Sequence, residues 1–372
     1  MPSKRRFTLF LFIMLLAGCS QKTNEVIQVK DFPQEVPNIS DFKSVDAEEV
    51  LKDSKPIDYM MTPYDLTDSG LFIGEENKKL ISYDLESKKE EIIHTCTDNS
   101  MYSNIILLDS SDQYIVFKNT DVAMKIDSFC VYNIETKIIK LIRESKNLNT
   151  LVYDQAIIYK DQIYLFLCDV ADNEFGYTYN GYIYDLKKDK LTLFEDQNTT
   201  GFGTIHNGKL YYLNIDNVAL TTKLIEYDME SKEKVTIMEG NQKDGFFSDL
   251  KSDEERLYIF VTKEDDKSYC YRFDPETKNV EPYFVSEYID RVSESKHYFV
   301  WTNYKNHPLD RMHTMYYFLD IKKDILYQYD GSVIVQSNNG LVWTKFNKDE
   351  REIPKGEIYK KDNSTFMYMK FS

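Results

Sequence analysis

Apolar and polar positions along this chain fall into short runs, not helical stripes. Clusters of aromatic and β-branched residues, such as Tyr114-Ile115-Val116-Phe117, Ile163-Tyr164-Leu165-Phe166 and Leu257-Tyr258-Ile259-Phe260, are separated by polar turns. That is the pattern of β-strands. One phrase recurs. It reads Ile81-Ser82-Tyr83-Asp84-Leu85-Glu86-Ser87-Lys88, then Cys130-Val131-Tyr132-Asn133-Ile134-Glu135-Thr136-Lys137. It returns at Tyr182–Leu186, Ile225–Lys232, Tyr271–Lys278 and Tyr317–Ile321, with a degenerate copy at Glu357–Asp362. The Asp or Asn positions are 84, 133, 185, 228, 274 and 320, a period of about 47 residues. Self-similarity in that range marks a repeat architecture, and propeller blades run at roughly 40–50 residues.

Each phrase predicts a strand, a turn opened by Asp or Asn, and a second strand. The acidic side chain bonds its own backbone, and the lysine closes the turn in water. Two further strand-like runs precede each phrase. Four antiparallel strands, repeated seven times, predict an all-β fold, a β-propeller of seven blades over residues 57–372. Six or eight blades are the alternatives. A pair of β-sandwiches would explain the strands but not the period.

The amino terminus follows different rules. Lys4, Arg5 and Arg6 precede an apolar stretch of about 12 residues that ends in Leu16-Ala17-Gly18-Cys19. A basic start, a short apolar core and small residues before a cleavage point form an export signal. The stretch is shorter than the roughly 20 residues a spanning helix needs. The four closing residues resemble the lipobox of bacterial lipoproteins. That resemblance implies removal of residues 1–18, lipid such as palmitate on Cys19, and a protein held on the outer side of the cell membrane. Residues 19–56 carry prolines, many charges and little periodicity. They predict a lipid anchor and flexible tether, with one short helix near Ala47–Leu51.

Charge narrows the partners. The chain carries 46 basic and 62 acidic residues, a net charge of −16. Loss of residues 1–18 removes three positive charges and gives −19. Nucleic-acid binding needs Lys and Arg to displace counterions, so it is not expected. The membrane is expected as a partner only through the Cys19 lipid. Cys96, Cys130, Cys168 and Cys270 show no CxxC or metal-ligand spacing. They read as buried thiols, although an exported protein could form disulfides.

The strand Phe299-Val300-Trp301-Thr302-Asn303 and its counterpart Leu341-Val342-Trp343-Thr344-Lys345 loosely resemble Tyr-Trp-Thr-Asp repeats of receptor-type propellers. The whole chain resembles the uncharacterised propeller lipoproteins of low-GC Gram-positive bacteria. The shared motifs are structural and carry no active site. With strands A to D numbered outward from the axis, the B–C loops vary most, and loops on a rigid scaffold are where binding residues concentrate. Blade 3 offers Asp169, Asp172, Glu174, Phe175, Tyr177 and Tyr179, acids beside rings that suit a sugar or peptide. Blade 6 offers His307, Asp310, Arg311 and His313. Neither has calcium-loop or zinc-site spacing, so no metal and no cofactor is implied. No nucleophile elbow or zinc-protease motif occurs. The expected function is a non-catalytic binding or scaffold module for a glycan, a peptide or an envelope protein. The alternative is a carbohydrate-active lyase or hydrolase with its site on the B–C face.

Overall fold

The computed structural model describes residues 26–371 apart from 99, 101–102, 147–153, 172–176, 197–198, 217–218, 288, 304–314, 331, 349–351, 354–356 and 358–359. The described chain is a seven-bladed β-propeller, with one antiparallel sheet per blade. Blade 1 shows the plan, with strands Thr62–Leu66, Leu71–Glu76, Lys79–Asp84 and Glu90–Thr95 running outward. The inner strands of neighbouring blades touch around the axis from blade 7 through blade 1 to blade 6.

The second strand of each blade is packed on both faces, because neighbouring blades cover it from either side. Leu257–Thr262 has five buried residues in succession, and Gln162–Val170 has seven. This explains why the strongest apolar runs in the sequence are continuous where a half-exposed strand would alternate. The core is seven clusters, one at each interface between adjacent blades. Between blades 3 and 4, for example, Tyr164 and Phe166 meet Leu210, Tyr212 and Tyr227.

The repeated phrase forms the C–D turn. In blade 1 the Asp84 Oδ1 accepts from the N–H groups of Glu86 (2.9 Å) and Ser87 (2.7 Å). Asp185, Asp228, Asp274 and Asp320 repeat the pattern. Four residues beyond each acid or Asn133, the chain turns through a left-handed residue: Lys88, Lys137, Asp189, Lys232, Lys278 and Asp324.

Two expectations need correction. Residues 27–57 are not a flexible tether. They run along the outer rim as a strap. Ile27–Gln28 pairs in parallel with the outer strand of blade 4, and Asn38 bridges to Val285 of blade 5. Lys43–Asp46 pairs in parallel with the outer strand of blade 6. The strap's side chains plug four interfaces: Val29 and Phe32 between blades 4 and 5, Ile39 and Phe42 between 5 and 6, Ala47 and Leu51 between 6 and 7, Ile57 between 7 and 1. The short helix expected near Ala47–Leu51 is present at Glu48–Leu51.

The second correction concerns blade 7. Positions 358 and 359 of the degenerate copy lie outside the described residues, and blade 7 takes its outer strands from elsewhere. The third strand is Ser364–Lys370, and the fourth is Lys55–Ile57 from the other end of the chain. The amino-terminal strand thereby closes the ring. Seven open blades would leave the first and last joined by side chains alone, whereas this closure adds backbone pairing.

Candidate functional site: the axial cavity

The inner strands end in a cavity of about 580 Å³ at the axial mouth. Its wall comes from five blades, with Asp65 and Asp68 of blade 1, Asp109 and Asp112 of blade 2, Lys160 of blade 3, Glu294 of blade 6 and Gln336 of blade 7. It opens at the A–B turns. In an up-and-down blade these share a face with the C–D turns, so the cavity lies on the face opposite the B–C loops.

A local irregularity places three of the axial acids. The pairing between first and second strands slips just before Asp65, Asp109 and Asp249. Such a bulge re-aims the side chain that follows it. In each case Oδ1 accepts from the next residue's own N–H, at 2.8–2.9 Å. The Oδ2 then reaches the next blade. Asp65 accepts from Ser110 Oγ (2.6 Å), Asp109 from the Ile158 N–H (2.6 Å) and Asp249 from the Val292 N–H (3.1 Å). Glu294 reaches back the other way and accepts from the Ser252 N–H at 3.0 Å. These acids therefore staple neighbouring blades near the axis, and Asp65, Asp109 and Glu294 also line the cavity.

Their electrostatics follow from position. Burial among the blades pushes the Asp65 carboxyl up to about 6, Glu294 to about 7 and Asp109 to about 8. The hydrogen bonds they accept oppose this, and so does Lys251 beside Glu294. All three residues stay partly open to the channel, and solvent there works against the shift. Gln336 is 6% exposed, and its Oε1 has no hydrogen-bond partner. Its Nε2 donates to the Tyr298 carbonyl at 3.4 Å. A buried acceptor left unmade costs on the order of 1–3 kcal/mol unless something donates to it.

A wider groove of about 650 Å³ lies on the same face between the turns of blades 3 and 4. Its charges are already matched, with Lys187 on Asp161 and Lys188 on Asp185. Among the described residues the axial cavity instead presents five acids against Lys160, whose ammonium sits 4.8 Å from the Tyr159 ring centroid.

The residues picked out by sequence fare differently. Asp169 is buried and held by the protein itself. It accepts from Arg143, from Asn180 Nδ2 at 2.8 Å and from the Tyr182 hydroxyl at 2.6 Å. Arg143 also lies 4.4 Å from the Tyr182 ring centroid. Tyr177 and Tyr179 meet edge to face at 6.1 Å in the third strand of blade 3. Asp172, Glu174, Phe175, His307, Asp310, Arg311, His313 and Cys19 lie outside the described residues. The axial residues went unnoticed because nothing in the sequence separates Asp65, Asp109 and Glu294 from the other acids. The one available signal is an acid set inside an innermost-strand run, as in Ile105-Ile106-Leu107-Leu108-Asp109.

No family model matches the sequence, and no curated protein sequence matches it. Solved structures do. The β-propeller domain of the Trilobed protease from Pyrococcus furiosus is 14% identical, with a TM-score of 0.51 over 77% of this chain and 90% of that one. That domain is described as having an open velcro topology, whereas here the strand Lys55–Ile57 closes the ring. Pyrococcus horikoshii acylaminoacyl peptidase is 13% identical, with a TM-score of 0.52 over 81% of this chain. The match spans half of that peptidase. TolB from Acinetobacter baumannii is 9% identical, with a TM-score of 0.45, covering 81% and 78% of the two chains. At these identities the likeness shows the fold alone.

Proposed function

We propose that this protein is an exported, lipid-anchored propeller that works outside the cytoplasm as a non-catalytic binding or scaffold module, with its ligand seated in the axial cavity. The observation that carries the reading is the polarity of that cavity, which among the described residues is lined by five acids and Gln336 with one lysine. Clefts with a few convergent polar groups and shifted carboxyls are where ligands bind. Among the described residues no imidazole or thiol lines the cavity, and Asp65, Asp109 and Glu294 are engaged in joining blades. That favours recognition over turnover.

The anchoring half of the proposal rests on Cys19 and its preceding small residues. No described helix is long and apolar enough to cross a membrane. Cys96, Cys130, Cys168 and Cys270 are buried and unpaired. Burial pushes Cys130 up to about 11 and Cys168 to about 12, which keeps them poor nucleophiles even in an oxidising compartment.

Two measurements test the proposal. Metabolic labelling with an acyl probe should mark the wild type and not Cys19→Ala, and the variant should leave the membrane fraction. A thermal-shift screen of the mature protein against glycans, peptides and amines should find a stabilising ligand. Turnover of any of these, lost on changing Asp109 or Glu294, would replace the binding reading with an enzymatic one.

A further inference from the structure

We infer that the axial cavity takes a small organic ligand carrying two or more ammonium groups. This rests on the binding reading above and names the chemistry of the ligand. Three observations lead to it. First, the wall supplies carboxyl groups in excess at two depths, and an ammonium group beside the inner ones would favour their charged form. Asp68 and Asp112 are exposed at the rim, while Asp65, Asp109 and Glu294 sit within. Second, Gln336 lines the cavity, and its buried Oε1 has no hydrogen-bond partner among the described residues. An incoming N–H would satisfy it, and an incoming carbonyl or phosphate would not. Third, the acceptors are dispersed. Among the described residues no three His, Cys, Asp or Glu side chains converge as metal ligands would. A compact divalent ion reaches few of these groups at once, whereas an extended ligand with donors at both ends reaches both depths. The cavity of about 580 Å³ falls in the range of small-molecule sites. The molecule's net negative charge also draws a cation towards the mouth.

The rim acids can be changed without touching the fold's core. Asp68 accepts from Asn338, at 2.8 Å from its N–H and 3.1 Å from Nδ2, and Asp112 accepts from the Ser69 N–H at 2.7 Å. Asparagine at either position keeps an acceptor oxygen and loses the charge.

Isothermal titration of the mature protein with 1,4-diaminobutane is the test. The expected result is saturable binding of one diamine, absent with the neutral analogue 1,4-butanediol. The double change Asp68→Asn with Asp112→Asn should weaken it at least tenfold, about 1.4 kcal/mol. Gln336→Leu should weaken it several-fold, and if that variant does not fold, the rim pair carries the test. Glu86→Gln with Glu230→Gln removes the same charge from exposed outer turns and should leave affinity unchanged. An equal loss in that control means diffuse attraction only and overturns the inference. Binding of the diol or a neutral sugar in place of the diamine overturns the charge assignment but keeps the binding reading. Calcium binding without diamine binding does the same. If no probe binds the folded protein, both fall.

Discussion

At the scale of single residues, the repeated turn is a small machine with two parts. The acid caps two N–H groups, and the residue four places on absorbs a left-handed bend. In blade 1 these are Asp84 and Lys88, and the Lys88 N–H also returns to the Asp84 carbonyl at 2.8 Å. Removing the cap with Asp84→Ala should cost about 1 kcal/mol, the net worth of a hydrogen bond to such a group. Lys88 sits at φ 59°. A left-handed residue costs about 1–2 kcal/mol, and glycine avoids this but loses about 0.5–1 kcal/mol in entropy, so Lys88→Gly should be close to neutral. Lys88→Val should destabilise by about 1 kcal/mol, because a β-branched residue fits that region worst. Urea unfolding of the three variants checks the order. The axial acids give a second test. Asp109 is raised to about 8, against about 3.9 in an unfolded chain. Between these values the folded state holds the extra proton, so stability falls as pH rises through that window. Glu294 at about 7 acts in the same sense. His94 is lowered by burial and opposes only below about 6.5. Calorimetry should therefore find a lower melting temperature at pH 8 than at pH 6.5, and a smaller difference in Asp109→Asn. An unchanged difference would remove Asp109 from the account.

At the scale of elements, the strap is where sequence reading and structure part company. The phrases were legible because each blade spends the same residues on the same turn. The second strands were legible because burial on both faces leaves unbroken apolar runs. The strap has neither signal. Its strands are two to four residues long, and its anchors Val29, Phe32, Leu51 and Ile57 are scattered through a mostly polar stretch with no regular period. Each fills a slot between blades that the rest of the chain builds, so the pattern becomes readable only once the blades are in place. The axial acids were hidden for a related reason, since a bulge, not a spacing, turns Asp65 and Asp109 toward the channel. If the strap is core, its apolar residues behave as core. Phe32 is 2% exposed and meets the Tyr271 ring edge-on at 4.9 Å. Phe32→Ala should cost about 3–5 kcal/mol and Leu51→Ala about 2–5 kcal/mol, as for buried side chains elsewhere. A true tether would lose nothing in either case.

At the scale of the whole molecule, the strap changes what the proposed lipid anchor does. Seven residues separate Cys19 from Ile27, the first paired residue on the rim of blade 4. Fully extended, that stretch spans at most about 27 Å, so lipid on Cys19 would keep the rim of blade 4 near the bilayer. A free tether to residue 56 would let the disc turn over. With the strap docked, blade 1, three blades round the ring, faces away. Two equivalent turns on the same face report this: Ser231 in blade 4 and Ser87 in blade 1, both exposed. The four downstream cysteines are buried, so a cysteine placed at either turn can be labelled selectively. On vesicles carrying a headgroup quencher, a fluorophore on Ser231→Cys should be quenched several-fold more than one on Ser87→Cys. Breaking the pairing of the strap with blade 4 by Ile27→Pro and Gln28→Pro together should narrow that gap, because proline removes a ladder hydrogen bond. Equal quenching at the two turns in the wild-type background would mean that the disc reorients freely despite its strap.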